Sequence, residues 1–132
     1  MAQIFIIEDE RAIAMVLKIV LGDLGHDVVS FQNGLEGYTY MECHQPELVI
    51  MDLNLPGMDG RTIAEKMHLN HNLKNIPVII MSGSIPSDAN LPSKDTYKAF
   101  IEKPFDLVEV EDVVQNLLAV YIAPEAFNLA IS

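Results

Sequence analysis

The stretch Leu48-Val49-Ile50-Met51-Asp52-Leu53-Asn54-Leu55-Pro56-Gly57-Met58-Asp59-Gly60 limits the fold more than any other part of the chain. Four apolar residues run straight into a carboxylate, and turn-forming residues follow at once. A continuous apolar run bounded by Pro and Gly predicts a strand buried on both faces, as in a parallel sheet. Asp52 then stands at the C-terminal end of that strand, where open α/β sheets place their ligands. An aspartate there is either a loop-facing cap or a reactive group. The other stretches decide which.

Four more short runs read as strands. Gln3–Ile7 leads into Glu8-Asp9-Glu10, and Asp27–Phe31 is the second strand, so residues 47–51 form the third. Residues 76–81 form the fourth, with Pro77 tolerable only near its start, and 98–102 the fifth, closed by Lys103-Pro104. Ala12, Met15, Val16, Ile19 and Val20 recur at helical spacing and predict a first helix that stops near Gly22 or Gly25. Asn33 with Glu36 is a capping-box variant opening a helix through about Cys43. Ile63, Ala64 and Met67 share a face of a short helix over about 59–70, followed by a loop at 71–75. Asp106 with Glu109 makes another capping-box variant. Leu107, Val110, Val114, Leu117, Leu118 and Tyr121 then mark a long amphipathic helix ended by Pro124. Met15, Met51, Met67 and Met81 sit on apolar runs and read as core filler.

Residues 82–97 are less regular, because Pro86 and Pro92 leave room for about two helical turns between them. Alternating β and α units with right-handed crossovers predict an α/β fold, one doubly wound five-stranded parallel sheet. Its order is 2-1-3-4-5, with a weak or irregular fourth helix. The domain spans 1–123, and a tail over 124–132 stays partly apolar through Phe127, Leu129 and Ile131.

The 132 residues suit one domain with a single sizeable core. With 19 acids against 8 bases, the net charge of −11 argues against direct nucleic-acid binding and against anionic membrane surfaces. No apolar run approaches a membrane span, and the N-terminus lacks the basic start of a signal peptide. One cysteine, Cys43, fits a reducing, cytoplasmic setting.

The chemistry-bearing residues fall together at strand C-termini. Glu8 and Asp9 follow strand one, Asp52 ends strand three, Ser82 follows strand four, and Lys103 follows strand five. In the order 2-1-3-4-5, strands one and three are neighbours at the topological switch point, so Glu8, Asp9 and Asp52 converge in one crevice. Three close carboxylates need a counter-charge, and a hard divalent cation, Mg²⁺, is the natural one. Lys103 offers a second positive charge and Ser82 a hydroxyl. That set suits phosphoryl transfer, with Asp52 as the nucleophile and an acyl phosphate as the product.

With these residues in place, the sequence resembles the receiver domain of two-component response regulators over essentially residues 3–122, most of all a chemotaxis-type single-domain receiver. The pieces that carry the resemblance are I-F-I-I-E-D-E, L-V-I-M-D-L-N-L-P-G-M-D-G, V-I-I-M-S-G and F-I-E-K-P-F. It implies that Asp52 is the phosphoacceptor and that Mg²⁺ is held by Asp9, Asp52 and the backbone carbonyl of Asn54, with Glu8 acting through water. It further implies that Ser82 and Lys103 bind the phosphoryl group and that the Lys103-Pro104 peptide bond is cis. Ser82 and Phe100 become the switch pair. Asn54 and Ser84 stand where this family tunes acyl-phosphate lifetime.

The implied role is to take a phosphoryl group from a histidine kinase or a histidine-phosphotransfer protein and to reshape a protein-binding surface. On this view the protein is no enzyme beyond catalysing its own phosphorylation and dephosphorylation. Pro86, Ser87, Asp88, Pro92 and Ser93 depart from the family pattern, so docking shifts toward the first helix, the last helix or the tail. The alternatives are a receiver cut from a hybrid kinase or multi-domain regulator, or a non-phosphorylated pseudo-receiver. An aspartyl phosphatase would want an acid at Asn54, and a flavin site would not tolerate Glu8-Asp9-Glu10 beside a phosphate. His68 with His71 and Cys43 with His44 read as solvated helix ends rather than metal or redox sites.

Overall fold

The computed structural model describes residues 2–83 and 91–121. Its strands are β1 (Gln3–Ile7), β2 (Asp27–Phe31), β3 (Leu48–Asp52), β4 (Val78–Ser82) and β5 (Ala99–Glu102). They form one parallel sheet in the order β2-β1-β3-β4-β5. The helices are α1 (Arg11–Asp23), α2 (Gly34–Cys43), α3 (Gly60–Leu69) and α4 (Leu107–Tyr121), with a 3₁₀ turn at Lys94–Thr96. Every residue of β3 and β4 is buried, as a strand covered on both faces requires.

Because side chains alternate along a strand, the sheet divides two cores. Phe5, Ile7, Val49, Met51 and Ile80 face α2 and α3. Ile4, Ile6, Ile50, Ile79 and Ile101 face α1 and α4. The starts of α2, α3 and α4 are fixed by side-chain caps. Asn33 Oδ1 accepts from Leu35 N (2.9 Å) and Glu36 N (3.2 Å), Asp59 Oδ1 from Thr62 N (2.7 Å), and Asp106 Oδ1 from Val108 N (2.8 Å). Gly25, at φ 92°, ends α1 one residue past its C-cap.

The structure corrects several readings. β3 begins at Leu48 and β4 at Val78, so Glu47, Ile76 and Pro77 precede the ladder, although Pro77 O still accepts from Val49 N at 3.1 Å. β3 ends on Asp52, and β4 runs one residue further than expected, which makes Ser82 a strand residue. β5 starts at Ala99 rather than Lys98.

Of the four methionines read as core filler, Met51, Met67 and Met81 are buried but Met15 is 62 % exposed. α1 buries Ala14, Leu17 and Leu21 and turns Met15, Val16 and Ile19 to solvent. The helix is apolar on two opposite faces, and spacing alone does not say which one meets the sheet. Tyr121 is also exposed, at 43 %, with Lys98 Nζ 5.2 Å from its ring centre. Ser84, Pro86, Ser87 and Asp88 of the expected fourth helix lie outside the described residues, as do Pro124 and the tail with Phe127, Leu129 and Ile131. Among the described residues, no helix is long and apolar enough to cross a membrane.

Candidate functional site

Strand alternation sorts the site residues by face. Glu8, Asp52 and Lys103 continue the rows of Ile6, Ile50 and Ile101 and stand on the α1/α4 side. Ser82 shares the row of Ile80, and Phe100 pairs with Ile80 across β4 and β5, so both stand on the α2/α3 side. The parallel register brings the ends of β1, β3, β4 and β5 to one edge.

At that edge Lys103 Nζ donates to Glu8 Oε1 at 2.6 Å and to Asp52 Oδ2 at 2.7 Å. Asp52 Oδ1 accepts from Asn54 N at 3.1 Å, and Glu8 Oε2 from Glu10 N at 3.1 Å. Both carboxylates are buried, and the lysine side chain is 10 % exposed. One lysine therefore serves two buried acids. Burial raises the Glu8 carboxyl above its ordinary value, against the pull of the Lys103 and Glu10 hydrogen bonds. Burial alone would lower the Lys103 ammonium, but its bonds to Asp52 and Glu8 outweigh that and raise it.

Asp9 is exposed, yet one oxygen each of Glu8, Asp9 and Asp52 lies within 4.8 Å of the others. Such a spacing of hard oxygen donors with excess negative charge fits a divalent cation of the Mg²⁺ type. Ser82 Oγ is fully buried and makes no hydrogen bond among the described residues. A buried orphan hydroxyl costs free energy that a bound acceptor would recover. Phe100 is partly buried against the α2/α3 core. The Lys103–Pro104 peptide bond is cis. Beside this edge an open cleft of about 530 Å³ is lined by Glu10, Ile13, Gly83, Lys103, Pro104 and Phe105.

Sequence reasoning missed two features. One is the outward apolar stripe of α1. The other is the packing of the 53–59 loop on the first turn of α2, where a Cβ on Gly34 would lie 1.7 Å from Met58 O. A glycine directly after an N-cap, where better helix formers are available, was the signal for it. His68 and His71 are exposed, as is Cys43 at the end of α2, and among the described residues none of them joins a metal-ligating group.

The family model of the response regulator receiver domain matches residues 4–115. Sporulation initiation phosphotransferase F of Bacillus subtilis is 32 % identical over 117 residues, covering 88 % of this chain and 93 % of its own length. The signal receiver domain of a signal transduction histidine kinase from Syntrophus aciditrophicus superposes with a TM-score of 0.80 at 28 % identity, over 93 % of this chain and 94 % of that one. The receiver domain of the Pseudomonas aeruginosa sensor histidine kinase PA1611, with a magnesium ion in its active-site cleft, gives 0.79 at 22 % identity, over 87 % and 95 %. Several other curated relatives are longer proteins, of which this chain spans about half or less.

Proposed function

The chain belongs to the response regulator receiver family, and we propose that in this protein Asp52 accepts a phosphoryl group and so switches a protein-binding surface. The observation that carries the proposal is the strand-end cluster of Asp52 and Glu8 on one lysine, beside the unpartnered Ser82 hydroxyl. The donor is a phosphohistidine of a histidine kinase or histidine-phosphotransfer protein. As the bond from an Asp52 carboxylate oxygen to phosphorus forms, the P–N bond breaks and the donor imidazole keeps its electron pair.

Asp9, Asp52 and the Asn54 carbonyl would hold Mg²⁺, with Glu8 reaching it through water. Held there, it would offset charge on the transferred oxygens. Lys103 exchanges a carboxylate partner for a phosphoryl oxygen, and Ser82 donates its hydroxyl to another. Phe100, on the same face as Ser82, follows it inward and alters the surface around β5 and α4. The protein acts on no separate substrate and catalyses only its own phosphorylation and dephosphorylation.

The donor docks on α1, where Met15, Val16 and Ile19 face solvent and Ile13 lines the cleft that leads to Lys103. Ile19→Glu should slow transfer from a protein donor and leave labelling by phosphoramidate unchanged. A longer protein carrying this receiver is the second reading, favoured by the greater length of several relatives.

The deciding experiment is Mg²⁺-dependent beryllofluoride binding followed by amide chemical shifts, with phosphoramidate labelling read by mass. Wild type should respond and Asp52→Asn should not. A silent wild type would leave a non-phosphorylated interaction domain as the better account.

A further inference from the structure

Asn54 offers a cation only its backbone carbonyl, so no side-chain choice at that position can aim the ligand. The 53–59 loop must do so. We infer that the first turn of α2, through Asn33 and Gly34, is the positioning element for that carbonyl. The inference rests on the metal-ligand reading of Asn54 given above.

The loop is fastened at both ends. Leu53 and Leu55, either side of exposed Asn54, are buried in the α2/α3 core. Leu53 O accepts from Gly60 N at 2.8 Å, which ties the loop's start to the start of α3. Pro56 O accepts from Met58 N at 2.9 Å and from Gly34 N at 2.8 Å, so a free N–H at the helix start is used to hold the loop. The contact is backbone on backbone, since a Cβ on Gly34 would lie 1.7 Å from Met58 O. Gly57, at φ +81°, lies under the Asn33 side chain, where a Cβ would come within 2.2 Å of Oδ1. The same Oδ1 caps α2 through Leu35 N and Glu36 N. Cap and clamp are one side chain. Mg²⁺ demands near-ideal octahedral geometry, so a loosened loop weakens binding even when every ligand is present.

The test is a Mg²⁺ titration of the ¹⁵N-labelled protein, with Kd taken from the amide shifts of residues 9 and 52–54. Asn33→Ala and Gly34→Ala should each raise Kd about tenfold, the usual scale for a residue that orients a ligand. Asn33→Asp, which keeps cap and shape, should bind as tightly as wild type or tighter. Asp106→Ala removes a cap of the same kind at α4 and should leave Kd unchanged. Asn33→Ala only removes atoms, so it carries the test alone if Gly34→Ala does not fold. Wild-type affinity in a folded Asn33→Ala overturns the inference, as does equal weakening in Asp106→Ala. A wild type that binds no Mg²⁺ overturns the metal-site reading itself, and the inference with it.

Discussion

The two ends of the sheet handle polar groups in opposite ways. At the N-terminal end, His26 Nδ1 accepts from Ala2 N at 3.1 Å and its Nε2 faces Gln115 Oε1 at 2.8 Å. Glu47 Oε1 accepts from Gln3 N at 3.0 Å. Each of these groups has a local partner, and Glu47 and His26 are only partly buried. At the C-terminal end, two buried carboxylates share one lysine and a buried hydroxyl has no partner among the described residues. One end is finished and the other is held short of satisfaction. Such local departures from polar satisfaction are where function concentrates.

The largest test of this contrast is Lys103→Met, which leaves Glu8 and Asp52 without their cation. It should cost about 3–5 kcal/mol of stability at neutral pH in urea titrations, and Mg²⁺ should restore part of the loss. An unchanged midpoint would break the contrast.

Glu8→Gln comes next, and it tests the pH dependence. A carboxyl with a raised folded pKa holds its proton more tightly in the folded state. Its contribution is therefore full below the ordinary value of 4.5 and is lost as pH rises through the raised value. The stability difference between Glu8→Gln and wild type should grow in favour of the variant as pH climbs through that window. Lys103, raised above 10.5, contributes fully below that value and loses its contribution only in more alkaline solution.

At the other end, His26→Ala should cost about 1 kcal/mol and leave beryllofluoride binding unaltered. A changed binding response would show that the two ends are coupled. The smallest effect is expected at Met15→Ser on the outer face of α1, within about 0.5 kcal/mol of wild type.

The strand ends were legible because an apolar run that stops at Asp52 or at Glu8 has few alternatives in a parallel sheet. The face of α1 was not legible. Ala12, Met15 and Ile19 have the same helical spacing as Ala14, Leu17 and Leu21, and only the sheet chooses between them. Strand starts slipped at Ile76 and Pro77 because apolar character extends beyond the hydrogen-bonded ladder. The Gly34 contact escaped because its partner is a backbone carbonyl, so the glycine itself is the one mark it leaves on the residue types. Ser82 was recognised as a hydroxyl at a strand end, but its lack of a partner is a property of the folded surroundings.

The alternation of rows has a consequence for cooperativity. Asp52 belongs to the side of the sheet covered by α1 and α4, and Ser82 to the side covered by α2 and α3. A phosphoryl group bonded to both would be a strut between two separately packed layers. Local opening of one layer would then break a bond to the other. Hydrogen exchange should show this as convergence: α2, α3 and α4 open with distinct free energies in the resting protein and with more nearly equal ones in the beryllofluoride complex.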